Sequence, residues 1–211
     1  MVGYQAVTKR IIDFIVALSA LILLIPFFVV VSIWIKRDSE GPVFFKGERM
    51  GRDGRPFNIL KLRTMDAGAT KMEAGLTVAG DARITSAGAY LRRFKLDELP
   101  QLYNVLRGEM SLVGPRPEIR KYVAMFPADF KKILTIRPGI TDLASIRFRN
   151  ESEFLARHND PEDEYVRHIL PEKIKLAHEY LAHASLINDF AIIAKTLALI
   201  FKNPAAIREG L

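Results

Sequence analysis

The strongest hydrophobic pattern lies near the N-terminus, where residues 14–35 run for 22 residues without a charge. This is about the length of helix that crosses the hydrocarbon core of a bilayer. No small-residue cleavage site follows the run, and Lys36 and Arg37 come directly after it, which argues against a cleaved signal peptide. The pattern therefore predicts a membrane segment, with a buried helix of a soluble protein as the alternative.

Pro26 divides this segment, because a proline inside a helix removes one hydrogen bond and clashes with the preceding turn. The two arms, residues 14–25 and 27–35, would be roughly 18 and 14 Å long at ~1.5 Å per residue, each close to one leaflet of a ~30 Å core. Basic pairs at 9–10 and 36–37 flank both ends, so the distribution of positive charge does not orient a span. On these residues a re-entrant hairpin and a kinked single span both remain open.

Residues 41–65 have the pattern of two short strands joined by a glycine-rich loop with an Asp53-Gly54 turn. Alternation along the second strand places Lys61 and Arg63 on the face opposite the neighbouring leucines. Two cations on one face predict a binding surface, and the alternative is a half-exposed strand with solvated side chains.

The remaining polar and apolar patterns predict one long loop and several helices. Residues 66–82, rich in glycine, alanine and threonine, predict a mobile loop that could serve as a lid. Thr85 or Ser86 can cap a short helix that continues to Arg93. Residues 187–201 predict a largely apolar helix, too short to span, that either packs as core or lies on the membrane.

Two adjacent acids, Asp97 and Glu98, follow a basic cluster, and leucines at helical spacing come after them. This pattern predicts a second helix that begins near Asp97, carries Pro100 in its first turn and stops at Gly108. Asp97 is then expected at or beside the helix N-cap, where the helix dipole and the neighbouring bases Arg92, Arg93 and Lys95 would favour its ionised form. The alternative is that Asp97 is only a cap and Glu98 an ordinary acid of the first turn.

The charge of the chain is concentrated in its middle. The formal net charge is +7, and residues 51–150 hold 18 lysines and arginines against 10 acids. This predicts an anionic partner, for which phosphate, nucleic acid and acidic lipid all qualify, although a basic surface can also serve solubility alone. The chain has no cysteine, which excludes disulfides, thiolate metal sites and a cysteine nucleophile.

Several arginines lie in rigid turns. Arg116 stands between Pro115 and Pro117, and an arginine held in this way loses less entropy when it binds an oxyanion. Arg137 leads a second Pro-Gly turn, and Arg149 follows it. Rigid arginines beside an acidic pair suit a nucleotide diphosphate with a metal ion better than a nucleic acid, because an aromatic stacking platform is missing from this region.

The chain contains the motifs KR-x-x-D at 9–13, KLRTM at 61–65, LDELPQLYNVLRGEMSLVGPRP at 96–117 and RPGIT at 137–141. Through these motifs it resembles, over nearly its whole length, the bacterial sugar transferase family, the monotopic phosphoglycosyl transferases. The resemblance implies a helix-rich α+β fold within the α/β class, with a small sheet and amphipathic interfacial helices. It also implies a re-entrant membrane hairpin over residues 1–37, broken at Pro26, and a catalytic domain over 38–211 on the cytoplasmic face of the bacterial inner membrane.

Three positions depart from the pattern of that family. Ile25 stands where serine usually precedes the proline at the helix break. Asp142 and Ser145 stand where glycine and glutamine are common. The contacts around residues 142–145, and with them the sugar specificity, stay open at this point.

The resemblance implies a covalent reaction in which a sugar 1-phosphate passes from a UDP-sugar to polyprenyl (undecaprenyl) phosphate. Asp97 would attack the phosphate that bears the sugar, expel UMP and carry an aspartyl phosphosugar, and a low pKa is expected for this carboxyl. Mg²⁺ would be held by Asp97 and Glu98, while the role of Glu98 as metal ligand or as acid and base stays open. The residues expected to bind phosphate and substrate are Lys61, Arg63, Arg92, Arg116, Pro117, Arg137 and Arg149.

The expected partners are a UDP-sugar, the polyprenyl phosphate lipid and the membrane, with no nucleic acid, and a homodimer stays open. The competing hypothesis is a membrane-anchored protein that binds acidic lipid or nucleic acid without catalysis. The sequence does not indicate which sugar is transferred.

Overall fold

The computed structural model describes residues 2–66 and 76–201, with side chains for residues 7–66 and 76–199. The fold is helix-rich α+β, as the sequence predicts. The helices are α1 (Val2–Leu23), α2 (Ile25–Asp38), α3 (Ser86–Arg93), α4 (Gln101–Arg107), α5 (Arg120–Met125), α6 (Pro127–Ile133), α7 (Leu143–Arg147), α8 (Glu151–Leu155), α9 (Pro161–Glu164), α10 (Leu170–His183) and α11 (Leu186–Phe201). The strands are β1 (Phe44–Met50), β2 (Pro56–Leu62), β3 (Ser111–Val113) and β4 (Gly139–Thr141).

The N-terminal apolar segment forms two helices, α1 and α2, bent by 60° at Leu24. Pro26 lies in the first turn of α2, where a proline costs no hydrogen bond, and the break therefore falls just before it rather than at it. Among the described helices, none is long and apolar enough by itself to cross a bilayer, whereas the bent pair has that length and composition when taken together.

The strands form two small sheets. Antiparallel pairing of β1 with β2 confirms the predicted hairpin, in which Asp53 adopts a left-handed conformation (φ 58°) in the turn. β3 and β4 pair in parallel, with Ser111 opposite Gly139. The second sheet thus pairs residues that lie 28 positions apart in the chain, since Val113 is opposite Thr141.

Polar side chains of α1 tie the bent pair to the rest of the protein. Arg10 donates hydrogen bonds to the carbonyls of Val105 and Leu106 at the end of α4. Asp13, which is 4% exposed, accepts hydrogen bonds from the hydroxyl of Ser111 (2.7 Å) and the amide of Leu112 (3.2 Å) at the start of β3. These bonds fix α1 against the edge of the second sheet.

The C-terminal half has its own hydrophobic core, in which α10 packs against α6 and the short helices around it. A π-helical turn, Tyr165–Ile169, leads into α10. The predicted apolar helix at the C-terminus is confirmed as α11, which buries Ile192 and leaves Ile187 83% exposed. Lys9 of α1 pairs with the buried Asp189 of α11 at 2.5 Å, so the first turn of α11 lies next to α1.

The loop predicted over residues 66–82 falls largely on residues 67–75, which lie outside the described residues. Its base is described: Met65 bridges to Ile84, and the amide of Thr85 donates to the carbonyl of Thr64.

Candidate active site

The acidic pair lies in a tight 3₁₀ turn, Leu96–Glu98, which we call the acidic turn. Thr85 caps the preceding helix α3, as predicted, by accepting a hydrogen bond from the amide of Gly88 (3.0 Å). Lys95 then adopts a left-handed conformation (φ 58°), a strained state for a residue with a side chain, and thereby turns the chain sharply into the acidic turn. As a result, Asp97 and Glu98 are only 6% and 9% exposed.

Two cations hold Glu98 from different elements. Lys61 of β2 donates to its Oε1 at 2.7 Å. Arg116 donates to both carboxylate oxygens, through Nη2 to Oε1 at 2.5 Å and through Nη1 to Oε2 at 3.3 Å. Burial by itself raises the pKa of Glu98, but Arg116 and Lys61 hold this pKa well below its usual range. In return, Glu98 raises the pKa of Arg116, so this pair stays ionised.

Asp97 has a different environment. Its Oδ1 is buried and has no hydrogen-bond partner among the residues that the structure describes. Burial raises the pKa of this carboxyl, and the charge of Glu98 adds to the effect, while Lys61, Lys95 and Arg92 oppose it. The expected low pKa is therefore wrong, because desolvation outweighs the neighbouring cations.

The expected N-cap role of Asp97 is also wrong. Lys95 and Pro100 hold the N-cap positions of the acidic turn and of α4, and α4 begins only at Gln101. The helix does stop at Gly108, in a left-handed conformation with φ 78°, as the sequence predicts. Asp97 thus lies inside the 3₁₀ turn, and the helix-cap alternative does not account for it.

Arg92 approaches Asp97 from α3. Its Nε donates to the hydroxyl of Thr64 at 2.8 Å, and its charge opposes the rise in the pKa of Asp97. The side chain of Lys95 is exposed at the rim of the acidic turn, and partial desolvation lowers the pKa of its ammonium group. The structure therefore brings Lys61, Arg92 and Arg116 together around the acidic pair, as the sequence predicts.

Arg63 does not join this group. β2 ends at Leu62, and the Arg63 side chain lies among the last carbonyls of α2 instead, donating to Ile35 (3.2 Å) and to the carbonyl (2.7 Å) and hydroxyl (3.0 Å) of Ser39. Lys61 and Arg63 therefore do not form one binding surface: Arg63 follows the last residue of β2, and it binds carbonyls at the C-terminus of α2, which attract a cation.

Two more predicted arginines also lie apart from the acidic pair. Arg137 donates through Nε to the carbonyl of Gly108 at 2.7 Å, at the end of α4. Arg149 is partly buried after α7 and makes no hydrogen bond or ion pair within the described part of the chain. Pro117 is buried and completes the rigid turn that presents Arg116.

The turns that carry Arg116 and Arg137 are fastened to each other. The amide of Gly114 donates to the carbonyl of Thr141 (3.1 Å), and the amide of Gly139 donates to the carbonyl of Pro115 (3.0 Å). A Cβ at Gly139 would lie 2.1 Å from the nitrogen of Gly114, so only glycine allows this approach.

Sequence reasoning missed two buried amides of α4. Asn104 bridges α4 to β2, since its Oδ1 accepts from the amide of Leu60 (2.9 Å) and its Nδ2 donates to the carbonyl of Asn58 (2.8 Å). Gln101 is 0% exposed, and neither of its amide atoms has a partner among the described residues. The sequence does contain one indication of these two amides, which is the spacing of Gln101 and Asn104 from the acidic pair. Polar residues at helical intervals within a leucine-rich helix lie on one side of that helix.

The acidic pair fits the magnesium ion that the resemblance implies. Oδ1 of Asp97 is a buried carboxylate oxygen without a partner, which is the donor chemistry that Mg²⁺ prefers. Within residues 2–66 and 76–201, no group of three or more acids and histidines is placed to hold a metal. A site of one or two carboxylates is completed by substrate phosphates and water, as is usual for Mg²⁺.

Comparison with known proteins gives one family. Residues 4–203 match the bacterial sugar transferase family. The UDP-glucose:undecaprenyl-phosphate glucose-1-phosphate transferase of Caulobacter vibrioides is 36% identical over 194 residues, which cover 90% of this chain and 68% of the relative. The exopolysaccharide production protein ExoY of Sinorhizobium fredii is 31% identical, with 92% of this chain and 85% of the relative covered.

A longer relative is similar to the same extent. The UDP-N-acetylgalactosamine-undecaprenyl-phosphate N-acetylgalactosaminephosphotransferase of Aeromonas hydrophila is 34% identical over 200 residues. These residues cover 92% of this chain, and the chain spans only 44% of the length of that relative.

Proposed function

This chain belongs to the bacterial sugar transferase family, and on that premise we propose that it transfers a sugar 1-phosphate from a UDP-sugar to undecaprenyl phosphate. The observation that carries the proposal is the pairing of two unlike acids in one turn. Glu98 is held by two cations, while the neighbouring Asp97 has a buried oxygen without a partner in the described part of the chain.

The reaction proceeds in two displacements at phosphorus. An oxygen of the Asp97 carboxylate bonds to the phosphorus that bears the sugar, the bond to the bridging oxygen breaks, and UMP leaves with the electron pair. An oxygen of undecaprenyl phosphate then bonds to the same phosphorus, and the bond to Asp97 breaks, which restores the carboxylate. No proton needs to be taken from the nucleophile, so the first step requires no general base.

The electrostatics of the acidic turn support this division of roles. Burial leaves the Asp97 carboxylate poorly solvated, which makes the ionised form more reactive, while Lys61, Lys95 and Arg92 counteract the rise in its pKa. Arg116 and Lys61 are both held in place by their hydrogen bonds to Glu98, and they stabilise negative charge on the phosphoryl oxygens. Glu98 holds these two cations in place, in addition to its proposed part in binding the metal ion.

Asp97 and Glu98 would hold Mg²⁺ together with the phosphates of the substrate. The ion supplies charge neutralisation of the diphosphate when it is bound. EDTA is expected to stop UMP release, and added Mg²⁺ to restore it.

We also propose that the bent pair enters the membrane as a re-entrant hairpin, with residues 38–211 on the cytoplasmic face of the bacterial inner membrane. Its apolar side chains are exposed along both arms, as Leu23 (79%) and Val30 (65%) illustrate. On its other side, α2 buries Ile35 against Leu62 of β2 and Leu91 of α3, which both border the acidic turn. This packing supports a site within reach of a lipid phosphate.

The experiment is an assay of UMP release by the purified protein in nanodiscs, with Mg²⁺, undecaprenyl phosphate and a panel of UDP-sugars. We expect the wild type to release UMP with one of the donors and Asp97→Asn to release none. Asp163→Asn, which changes an exposed aspartate, is the control and should stay active. With labelled donor and no lipid, the wild type retains a phosphosugar adduct and Asp97→Asn retains none. An active Asp97→Asn protein contradicts the nucleophile, and absence of release across the panel supports a binding protein without catalysis.

A further inference from the structure

Asp142 lies between β4 and α7 and is a buried residue, 5% exposed. Its Oδ1 accepts a hydrogen bond from the amide of Ser145 at 2.7 Å and thereby caps α7. Its Oδ2 accepts a hydrogen bond from the amide of Arg116 at 3.1 Å. The two oxygens therefore serve two different segments of the chain.

The hydrogen bond from the amide of Arg116 to Asp142 holds a part of the 114–117 turn that can form few other backbone hydrogen bonds. Pro115 and Pro117 have no amide hydrogen, so the amide of Arg116 is the one donor that the backbone offers between them. The backbone bonds at Gly114 and Pro115 fasten the turn before Arg116. The carboxylate of Asp142 extends this attachment by one residue, to the one whose guanidinium binds Glu98.

The position of Arg116 matters because its side chain makes a two-point contact. Nη1 and Nη2 each bind one oxygen of Glu98, and a bidentate pair of this kind depends on the direction from which the arginine arrives. A shift of the backbone at Arg116 would therefore disturb both bonds together. The negative charge of Asp142 also contributes to the raised pKa of Arg116, which is consistent with their proximity.

We propose that Asp142 is a positioning residue, which fixes the backbone of Arg116 so that its guanidinium meets Glu98 and the reacting phosphate. This role rests on the proposed transferase function. It also assigns a role to one of the three departures in the sequence, since a glycine at position 142 would provide neither of the two hydrogen bonds. The hydrogen bond to the amide of Arg116 therefore depends on the aspartate that this chain has at position 142.

Asp142→Asn separates the cap from the bond to Arg116. The asparagine oxygen can still accept from the amide of Ser145, whereas its NH₂ group cannot accept from the amide of Arg116. Asp160→Asn is the matched control, because Asp160 also caps a helix with two hydrogen bonds, from Glu162 (3.1 Å) and Asp163 (3.0 Å), at an exposed site. Both variants keep an N-cap residue, and only the first changes a contact to Arg116.

In the UMP-release assay, Asp142→Asn is expected to lower kcat by roughly 10-fold or more, about 1.4 kcal/mol per factor of ten. The KM for the UDP-sugar should change by less than about 3-fold, since the contact improves charge stabilisation rather than donor binding. In an Arg116→Met background the same change should have no further effect, because Asp142 acts through Arg116. Equal kcat values for Asp142→Asn and Asp160→Asn, or effects of Asp142→Asn and Arg116→Met that multiply, would overturn the proposal.

Hydrogen exchange provides a measurement that does not depend on activity. The amide of Arg116 should be protected in the wild type and in Asp160→Asn, and should exchange faster in Asp142→Asn. Unchanged protection would refute the positioning role, whereas a wild type that releases no UMP refutes only the proposed function. Should Asp142→Asn fail to fold, Asp142→Ser keeps a capping oxygen and takes its place in both measurements.

Discussion

Replacing Arg63 by methionine is expected to lower the thermal stability of the protein and to leave donor binding unchanged. Arg63 is 3% exposed, and its Nη2 donates to the carbonyls of Ile35 and Ser39 and to the hydroxyl of Ser39. These bonds join the end of α2 to the end of β2. Methionine fills a similar length with an apolar chain and removes all three bonds.

The magnitude follows from two opposing effects. A hydrogen bond that involves a charged group contributes about 1.5–3 kcal/mol, and one nitrogen shared among three acceptors counts as roughly one to two such bonds. The Nε and Nη1 atoms of Arg63 are buried without partners among the described residues, so their removal recovers part of the loss. A net loss of about 2 kcal/mol lowers Tm by roughly 4–8 °C in a protein of this size.

The assay combines thermal unfolding, followed by circular dichroism at 222 nm in one detergent, with the KM for the UDP-sugar. Arg55→Met is the control, because Arg55 is exposed on the hairpin and the same change of residue type is made there. Tm should fall in Arg63→Met and stay within about 1 °C in Arg55→Met, with KM unchanged in both. An unchanged Tm together with a KM raised about 10-fold would refute the reasoning and return Arg63 to the phosphate-binding role that its sequence pattern suggests.

Two further predictions concern buried polar groups of the site. Because the folded pKa of Glu98 lies below its unfolded value, the ionised carboxylate adds stability at neutral pH that is lost as the pH falls below about 4. Glu98→Gln should therefore be less stable than the wild type by about 3 kcal/mol at pH 7. A difference in Tm between the two proteins that does not shrink at pH 3 would contradict this. Gln101→Met removes a buried amide that has no partner among the described residues, and it should raise Tm by roughly 2–4 °C. Asn104→Leu removes an amide whose hydrogen bonds are formed, and it should lower Tm. A lower Tm in Gln101→Met would show that the amide of Gln101 does stabilise the fold.

The local elements of this protein follow from local sequence. Thr85 as a helix cap, Gly108 as a helix stop and the hairpin turn at Asp53 each depend on a few neighbouring residues, and all three are found where the sequence predicts them. The convergence of Lys61 and Arg116 on Glu98 could also be predicted, since one lies on a strand face and the other in a rigid turn.

The wrong predictions concern residues whose surroundings are determined by packing between distant segments of the chain. The low pKa expected for Asp97 assumed an exposed helix end, whereas Lys95 turns the acidic turn into the protein and desolvation dominates. Arg63 follows the same principle, because the carbonyls that it binds belong to α2, more than 20 residues earlier in the chain. Neither environment is encoded in the neighbouring sequence.

The hydrogen bonds of Asp13 have a consequence for where the reaction takes place. Asp13 fastens α1 to Ser111 and Leu112, and β3 then leads within a few residues to the turn that carries Arg116. With α1 seated in the proposed membrane position, the depth of that helix determines the height of the acidic pair above the lipid headgroups. Under the proposed function, the hydrogen bonds of Asp13 would thereby keep the carboxyl of Asp97 at the depth of the phosphate group of a lipid that stays anchored in the bilayer.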